Sequence, residues 1–257
     1  PTVIVIHMTT ITDIPMIMGI TTITTRSRRK NMTNQLFYLM QMAGGTFPSG
    51  GFSQSWGLET YVANGTVHDD TTFIEFTEGY LESTVTRCEG PIMREAYRLA
   101  ADWDQDGLMQ LEELSCAVKV TKESRESSIR MGKAFMRIMA DILDDENLSC
   151  LKKLCGPDGI SYPVIYGAVC GRIGIDVEEA VKAFVFSTVN ALVQSAVKLV
   201  PLGNTQAQQV LLQLYPAMEA SAKESRGTPV DEISNFCPGL DIASINHEYL
   251  TTRLYMS

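Results

Sequence analysis

Histidine is scarce in this 257-residue chain: only His7, His68 and His247 occur. A catalytic triad needs a histidine base beside its nucleophile, and a histidine-rich metal centre needs several imidazoles, so both are hard to build. None of the six cysteines (Cys88, Cys116, Cys150, Cys155, Cys170 and Cys237) belongs to a CxxC pair. Scattered through apolar text, they read as reduced, buried thiols rather than the disulfide framework of a short secreted chain, which points to a cytoplasmic protein. Basic residues are outnumbered, 21 Lys and Arg against 30 Asp and Glu, for a net charge of −9. An acidic surface repels nucleic acid and anionic membrane, so neither is expected as a partner. No stretch is expected to be apolar over the roughly 18 residues that a membrane helix needs. No repeat of roughly 20 to 50 residues suggests a solenoid.

What is present is the composition of a folded chain, 45% apolar and 20% charged, with ample material for a core and too little charge for disorder. Residues 1–33 stand apart. Thr9–Thr12 and Thr21–Thr24 both read TTIT, and the basic run Arg26–Lys30 follows them. A signal peptide carries its positive charge before the apolar part, the reverse of this order. Residues 1–33 are read as a poorly ordered extension ahead of a start at Met32, and residues 34–257 as one folded domain ending in a flexible polar tail.

From Asn34 onward apolar residues recur at helical spacing. A short helix breaks at Gly44 and Gly45, and a loop rich in Gly, Ser and Pro leads to another through Trp56, Leu58 and Tyr61. Thr72–Arg87 and Pro91–Ala101 read as two helices, with Pro91 in a first turn, where its missing N–H costs little. Thr121–Leu143 carries Ile129, Gly132, Met136, Ala140 and Leu143 on one face. Gly132 on that stripe predicts close approach of a neighbouring helix. Ser161–Ile173 is a further helix ended by Gly174. Asp176, with Glu179 three residues on, opens the longest apolar helix through a capping-box pattern. Val177, Val181, Phe184, Val185, Val189, Leu192, Val193, Ala196 and Val200 cover so much of its circumference that it is expected to be central. Asn204 or Thr205 caps the next helix, with a kink at Pro216. The fold class is therefore all-α, a single-domain bundle of roughly ten helices.

The sharpest pattern is Asp102, Asp104 and Asp106 with Gly107 and Glu113, which matches an EF-hand loop: oxygen ligands at positions 1, 3, 5 and 12 and a glycine at 6. The competing reading is an Asp-rich turn between two helices. Position 8, usually a branched aliphatic, is Met109, and there is no second loop to pair with, so a calcium module stands as the alternative function. The run Gly44–Ser53 has neither a preceding strand nor a GK[ST], so it is not a phosphate cradle. Its glycines instead let backbone pass close to another chain. His247 beside Glu248, with Cys237 ten residues earlier, is a weak soft-metal grouping whose ordinary reading is a solvated tail histidine. Lys119–Arg130 reads as a solvated helix face. No paired carboxylates stand out as an acid–base couple.

Several segments, in order, resemble the urease accessory protein F family. Phe47–Val62 (FPSGGFSQSWGLETYV) is similar to the family's glycine-rich loop and the LE that follows it. Thr121–Gly132 (TKESRESSIRMG) resembles a helix of the family. Lys198–Gln206 (KLVPLGNTQ), Asp241–Glu248 (DIASINHE) and Arg253–Ser257 (RLYMS) resemble its C-terminal signatures, with Thr252 where Ser is usual and Asn204 before Thr205 where Gln is commoner. The resemblance implies an all-helical, dimeric, non-enzymatic protein. It implies partners, accessory protein H (also called D) and the GTPase accessory protein G, in an assembly that delivers nickel to apo-urease. Nickel is then handled by the complex, and no cofactor is bound permanently. By motif position it implies that Phe52 and Arg253 recruit the GTPase and that Lys198 modulates it. Leu254 and Tyr255 flank that arginine, and Pro48, Gly50, Gly51, Ser53 and Glu59 shape the loop. The last residues are expected to become ordered when protein H docks.

Overall fold

The computed structural model describes residues 34–256, and the reading of residues 1–33 lies outside them. The described chain is all-α, as expected, with no strand among the described residues. The helices are α1 (residues 34–43), α2 (Leu58–Ala63), α3 (Asp70–Tyr80), α4 (Gly90–Asp102), α5 (Gln105–Val118) and α6 (Lys122–Leu143). They continue as α7 (Glu146–Cys155), α8 (Tyr162–Ile173), α9 (Val177–Leu199), α10 (Asn204–Gln213), α11 (Tyr215–Gly227) and α12 (Pro238–His247).

Local chemistry sets most boundaries. The Asp69 carboxylate accepts from the Thr72 N–H at 2.8 Å, and Thr72 Oγ1 accepts from the Asp69 N–H, so α3 opens in a reciprocal cap. Thr121 caps α6 by accepting from the Ser124 N–H, and Asp145 caps α7 by accepting from Asn147 and Leu148. Asp176 caps α9 through the Glu178 and Glu179 N–H groups. Gly174, at φ 67°, closes α8 in the left-handed conformation that glycine adopts without strain.

Three elements differ from expectation. Thr72–Arg87 and Pro91–Ala101 are not separate: α3 runs into a π-helical stretch, Leu81–Glu89, and that runs into α4 with helical backbone at both joints. The register change shifts the apolar stripe around the axis, which in sequence reads as a boundary between two helices. α10 is capped by Gly203 rather than Asn204 or Thr205, and the chain turns at Leu214, the single residue between α10 and α11, with Pro216 in the first turn of α11.

Two elements are central: α9, as expected, packs against α2, α4, α8, α10 and α11, and α8 is the more completely buried of the two. Every residue from Tyr162 to Cys170 is buried. α4 lies against it so closely that a Cβ on Gly167 would sit 2.0 Å from the Met93 carbonyl oxygen, and one on Gly171 would sit 2.4 Å from that of Tyr97. Gly132 of α6 meets the chain entering α8 in the same way, its would-be Cβ 1.9 Å from the Ile160 oxygen. The neighbour that Gly132 admits is thus a helix-entry segment rather than a helix flank. Phe135, Tyr162, Tyr166 and Phe184 form an aromatic cluster with ring centroids 5.2 to 5.7 Å apart. α9 is long and apolar enough, by length and composition, to cross a membrane, contrary to the expectation that no stretch would be. In the bundle, Phe184, Val185, Val189, Leu192 and Val193 face the core.

Candidate functional site

The glycine-rich loop lies where α1, α6 and α9 meet. Phe47 anchors it, buried and 5.1 Å from the Phe135 ring. Pro48 is exposed. Gly50 turns the chain at φ 85°, and Gly51 is buried with its α-carbon against Met131. A Gly51–Ser53 3₁₀ turn follows, closed by Ser53 Oγ donating to the Gly50 carbonyl at 2.7 Å. The turn holds Phe52 outward, 61% exposed, while Gln54 and Ser55 behind it are buried. A large aromatic presented to solvent on a glycine-shaped turn with buried flanks is what a docking contact requires.

Gly57, again left-handed at φ 85°, starts α2, and α2 packs against α9 and α12. In its first turn sits Glu59, 5% exposed. Its Oε2 lies 2.7 Å from His247 Nε2 at the end of α12 and accepts from the Tyr255 N–H at 3.2 Å. Its Oε1 accepts from the Leu254 N–H at 2.6 Å. A buried carboxylate is tolerated only with such donors around it. Thr60, the next residue, donates to the Ala243 carbonyl at 2.9 Å and tightens the same joint.

His247 is therefore not the solvated tail histidine of the ordinary reading; it is 1% exposed. The weak soft-metal grouping fails too. Cys237 and His247 stand at opposite ends of α12, about 15 Å apart at 1.5 Å per residue. The histidine's Nε2 already meets Glu59.

The expected flexible tail is seated in the structure. Beyond Glu59's two bonds, the Met256 N–H donates to the Ser53 carbonyl at 2.9 Å, which ties the tail to the Phe52 turn. Tyr255 is the one buried side chain among the tail's described residues; its hydroxyl reaches the Ser195 carbonyl at 3.5 Å, and its ring lies 5.6 Å from the Lys198 ammonium. Arg253, Leu254 and Met256 are exposed. The structure thus brings Ser53, Glu59, Lys198, Leu254 and Tyr255 into one neighbourhood from four segments of chain, with Phe52 and Arg253 on its outer side. His247 is the member that sequence reasoning assigned differently; the one available signal was its place in the same ordered set of motifs as Glu59.

Behind the loop is a cavity of about 120 Å³ whose wall includes Glu89, Lys119, Ser127 and Asn235. Lys119, 3% exposed, sits 3.6 Å from Glu89. Burial pushes its ammonium pKa down, and the surrounding Cys88, Glu89 and Glu112 more than reverse that, so it remains charged. Lys119 is thus no part of the solvated face that the Lys119–Arg130 run suggested.

The EF-hand pattern does not form a calcium loop. Asp102 ends α4, Trp103 turns the chain at φ 57°, and α5 begins at Gln105. Asp104 spends its carboxylate on the Gly107 N–H at 2.9 Å, as a helix cap. A twelve-residue loop would delay the exiting helix; here Asp106 and Glu113 are both inside α5, about two turns apart. Among the described residues no three His, Cys, Asp or Glu side chains cluster as a metal site would need.

The family model described as UreF matches residues 67–215. A urease accessory protein UreF from Sporosarcina pasteurii is 30% identical over 202 residues, covering 78% of this chain and all of that protein. The UreF of Geobacillus kaustophilus is 32% identical over 223 residues, with 87% of this chain and 98% of the relative covered. That of Nostoc sp. is 32% identical over 224 residues, with 87% and 96% covered. With a matching family model across most of the bundle and relatives aligned over nearly their whole length, this chain belongs to the UreF family of urease accessory proteins.

Proposed function

We propose that this chain acts in urease maturation as a non-catalytic scaffold that bridges accessory protein H (D) and the GTPase accessory protein G. Membership of the UreF family carries the role in urease maturation. The bridging role is our own reading, and one observation supports it above others. The loop, the α12 histidine and the C-terminal tail, three separate motifs in sequence, converge on the Glu59 carboxylate. The Met256–Ser53 bond and the Lys198–Tyr255 contact, beside Phe52 and Arg253 in the chain, support reading Phe52, Lys198 and Arg253 as one face. An exposed aromatic beside two cations suits an acidic, partly apolar partner surface. The protein works in the cytoplasm as a homodimer, and nickel is cargo of the assembly, passing to apo-urease, rather than a resident ion of this chain.

Size-exclusion chromatography with light scattering tests the reading, after the protein is mixed with accessory proteins H and G, GTP, magnesium and nickel. The expected result is a co-eluting complex that contains this chain as a dimer. Arg253→Ala is expected to keep the helical circular dichroism and lose the GTPase from that peak. A folded protein that binds neither partner would overturn the proposal.

A further inference from the structure

We propose that Glu59 and His247 are positioning residues: they seat the C-terminal tail, and the seated Tyr255 ring in turn fixes the Lys198 ammonium. The inference rests on the reading of Phe52, Lys198 and Arg253 as a partner-binding face. Its physical basis is an imbalance in how the tail is held. Of the described tail residues from Arg253 onward, only Tyr255 is buried; Arg253, Leu254 and Met256 are exposed. Apolar burial of one ring is a weak anchor for an irregular segment that must give up its conformational freedom. The rest of the hold is polar. Two consecutive N–H groups, from Leu254 and Tyr255, are given to the two oxygens of a single buried carboxylate, and a third, from Met256, goes to the Ser53 carbonyl.

Glu59 needs the tail as much as the tail needs Glu59. With the tail lifted, the carboxylate keeps His247 and loses both backbone donors, and an under-satisfied buried charge is costly. His247 limits that cost and holds the carboxylate in the orientation that accepts the tail. The consequence reaches Lys198 only through Tyr255, whose ring lies 5.6 Å from the ammonium. It reaches the Phe52 turn only through the Met256–Ser53 bond. Neither Glu59 nor His247 is exposed enough to touch a partner directly.

The test uses the full chain and two variants, Glu59→Gln and Tyr255→Ala. Two rates are read: release of the C-terminal residues by a carboxypeptidase, and acylation of Lys198 followed by mass spectrometry, with exposed Lys223 as internal reference. Loss of a charge-assisted bond set is expected to raise both rates about tenfold in Glu59→Gln, with helical content unchanged. Tyr255→Ala is expected to raise Lys198 acylation because the covering ring is gone. Unchanged rates in a folded Glu59→Gln would overturn the proposal. If that variant unfolds, unchanged Lys198 reactivity in Tyr255→Ala overturns it instead, since that substitution falls in the irregular tail, outside every helix. Both rates are read without any partner, so failure of the wild type to bind the GTPase would defeat the scaffold reading and leave the seating result standing by itself.

Discussion

Glu59 in α2 and His247 at the end of α12 are 188 residues apart in the chain and 2.7 Å apart in space, and both are almost fully buried. His247→Ala leaves the carboxylate short of a donor in a site that water barely enters. The expected loss is about 1–3 kcal/mol of folding stability, read as a lower urea midpoint at unchanged slope. His247→Gln, whose amide can donate to the same oxygen, is expected to lose less than the alanine variant.

Phe52→Ala should separate binding from stability. The side chain is 61% exposed, so its removal is expected to move the unfolding free energy by no more than about 0.5 kcal/mol. If Phe52 is an anchor for the GTPase, calorimetric titration should show affinity falling about tenfold or more.

Gly132→Ala and Gly167→Ala should be among the severest single substitutions in the bundle. Each added methyl would meet backbone, the Ile160 and Met93 oxygens at 1.9 and 2.0 Å, and neither a helix entry nor a helix can yield as a side chain does. Overpacking of about 3 kcal/mol or more is expected, seen as a lower melting temperature or loss of soluble protein. Gly203→Ala, with open space around its α-carbon, is the control.

Stability should fall on the alkaline side in a way that depends on buried thiols. Burial pushes Cys88 from 9.0 up to about 11. Between those values the unfolded chain gives up a proton that the folded chain keeps, so folding weakens as pH rises through that window and is unaffected below it. Cys88→Ala is expected to flatten the decline between pH 9 and pH 11, measured as the slope of unfolding free energy against pH. Cys116 and Cys155, also raised to about 11, retain part of the slope.

Calcium at millimolar concentration is expected to leave the melting temperature unchanged, because a ligand stabilises only by binding the folded state and the four carboxylates are not gathered. Asp104→Ala should still lower stability, by about 1 kcal/mol, through the lost cap of α5.

Much of the bundle was legible from local chemistry. Thr121, Ser161 and Asp176 mark helix starts that the structure places within one residue; at Thr121 and Asp176 the reason is a cap, which is a contact between near neighbours. The centrality of α8 was not legible. It has twelve residues, apolar on all sides, and its two packing glycines carry no hydropathy signal, whereas the longer α9 dominates any count of apolar residues. The Asp-rich turn misled for a related reason: a ligand pattern specifies residue types at intervals, and a helix that starts early fills the same intervals without gathering them. The Glu59–His247–tail node depends on contacts across the whole chain, which no spacing rule expresses. The ordered motifs marked its members, and only the fold shows what joins them.

The π-helical stretch Leu81–Glu89 has a further consequence. It joins α3 to α4 without a break, so the two helices share a path but not an angular phase. One residue removed there would swing everything after it by about 100° around the axis. Met93 and Tyr97 would turn away from the glycines of α8, and Gly90 would leave the groove where the Ser225 hydroxyl fills the space of its missing Cβ. The bundle is keyed to chain length at this one stretch, so a single-codon deletion within it should be far more damaging than most substitutions there.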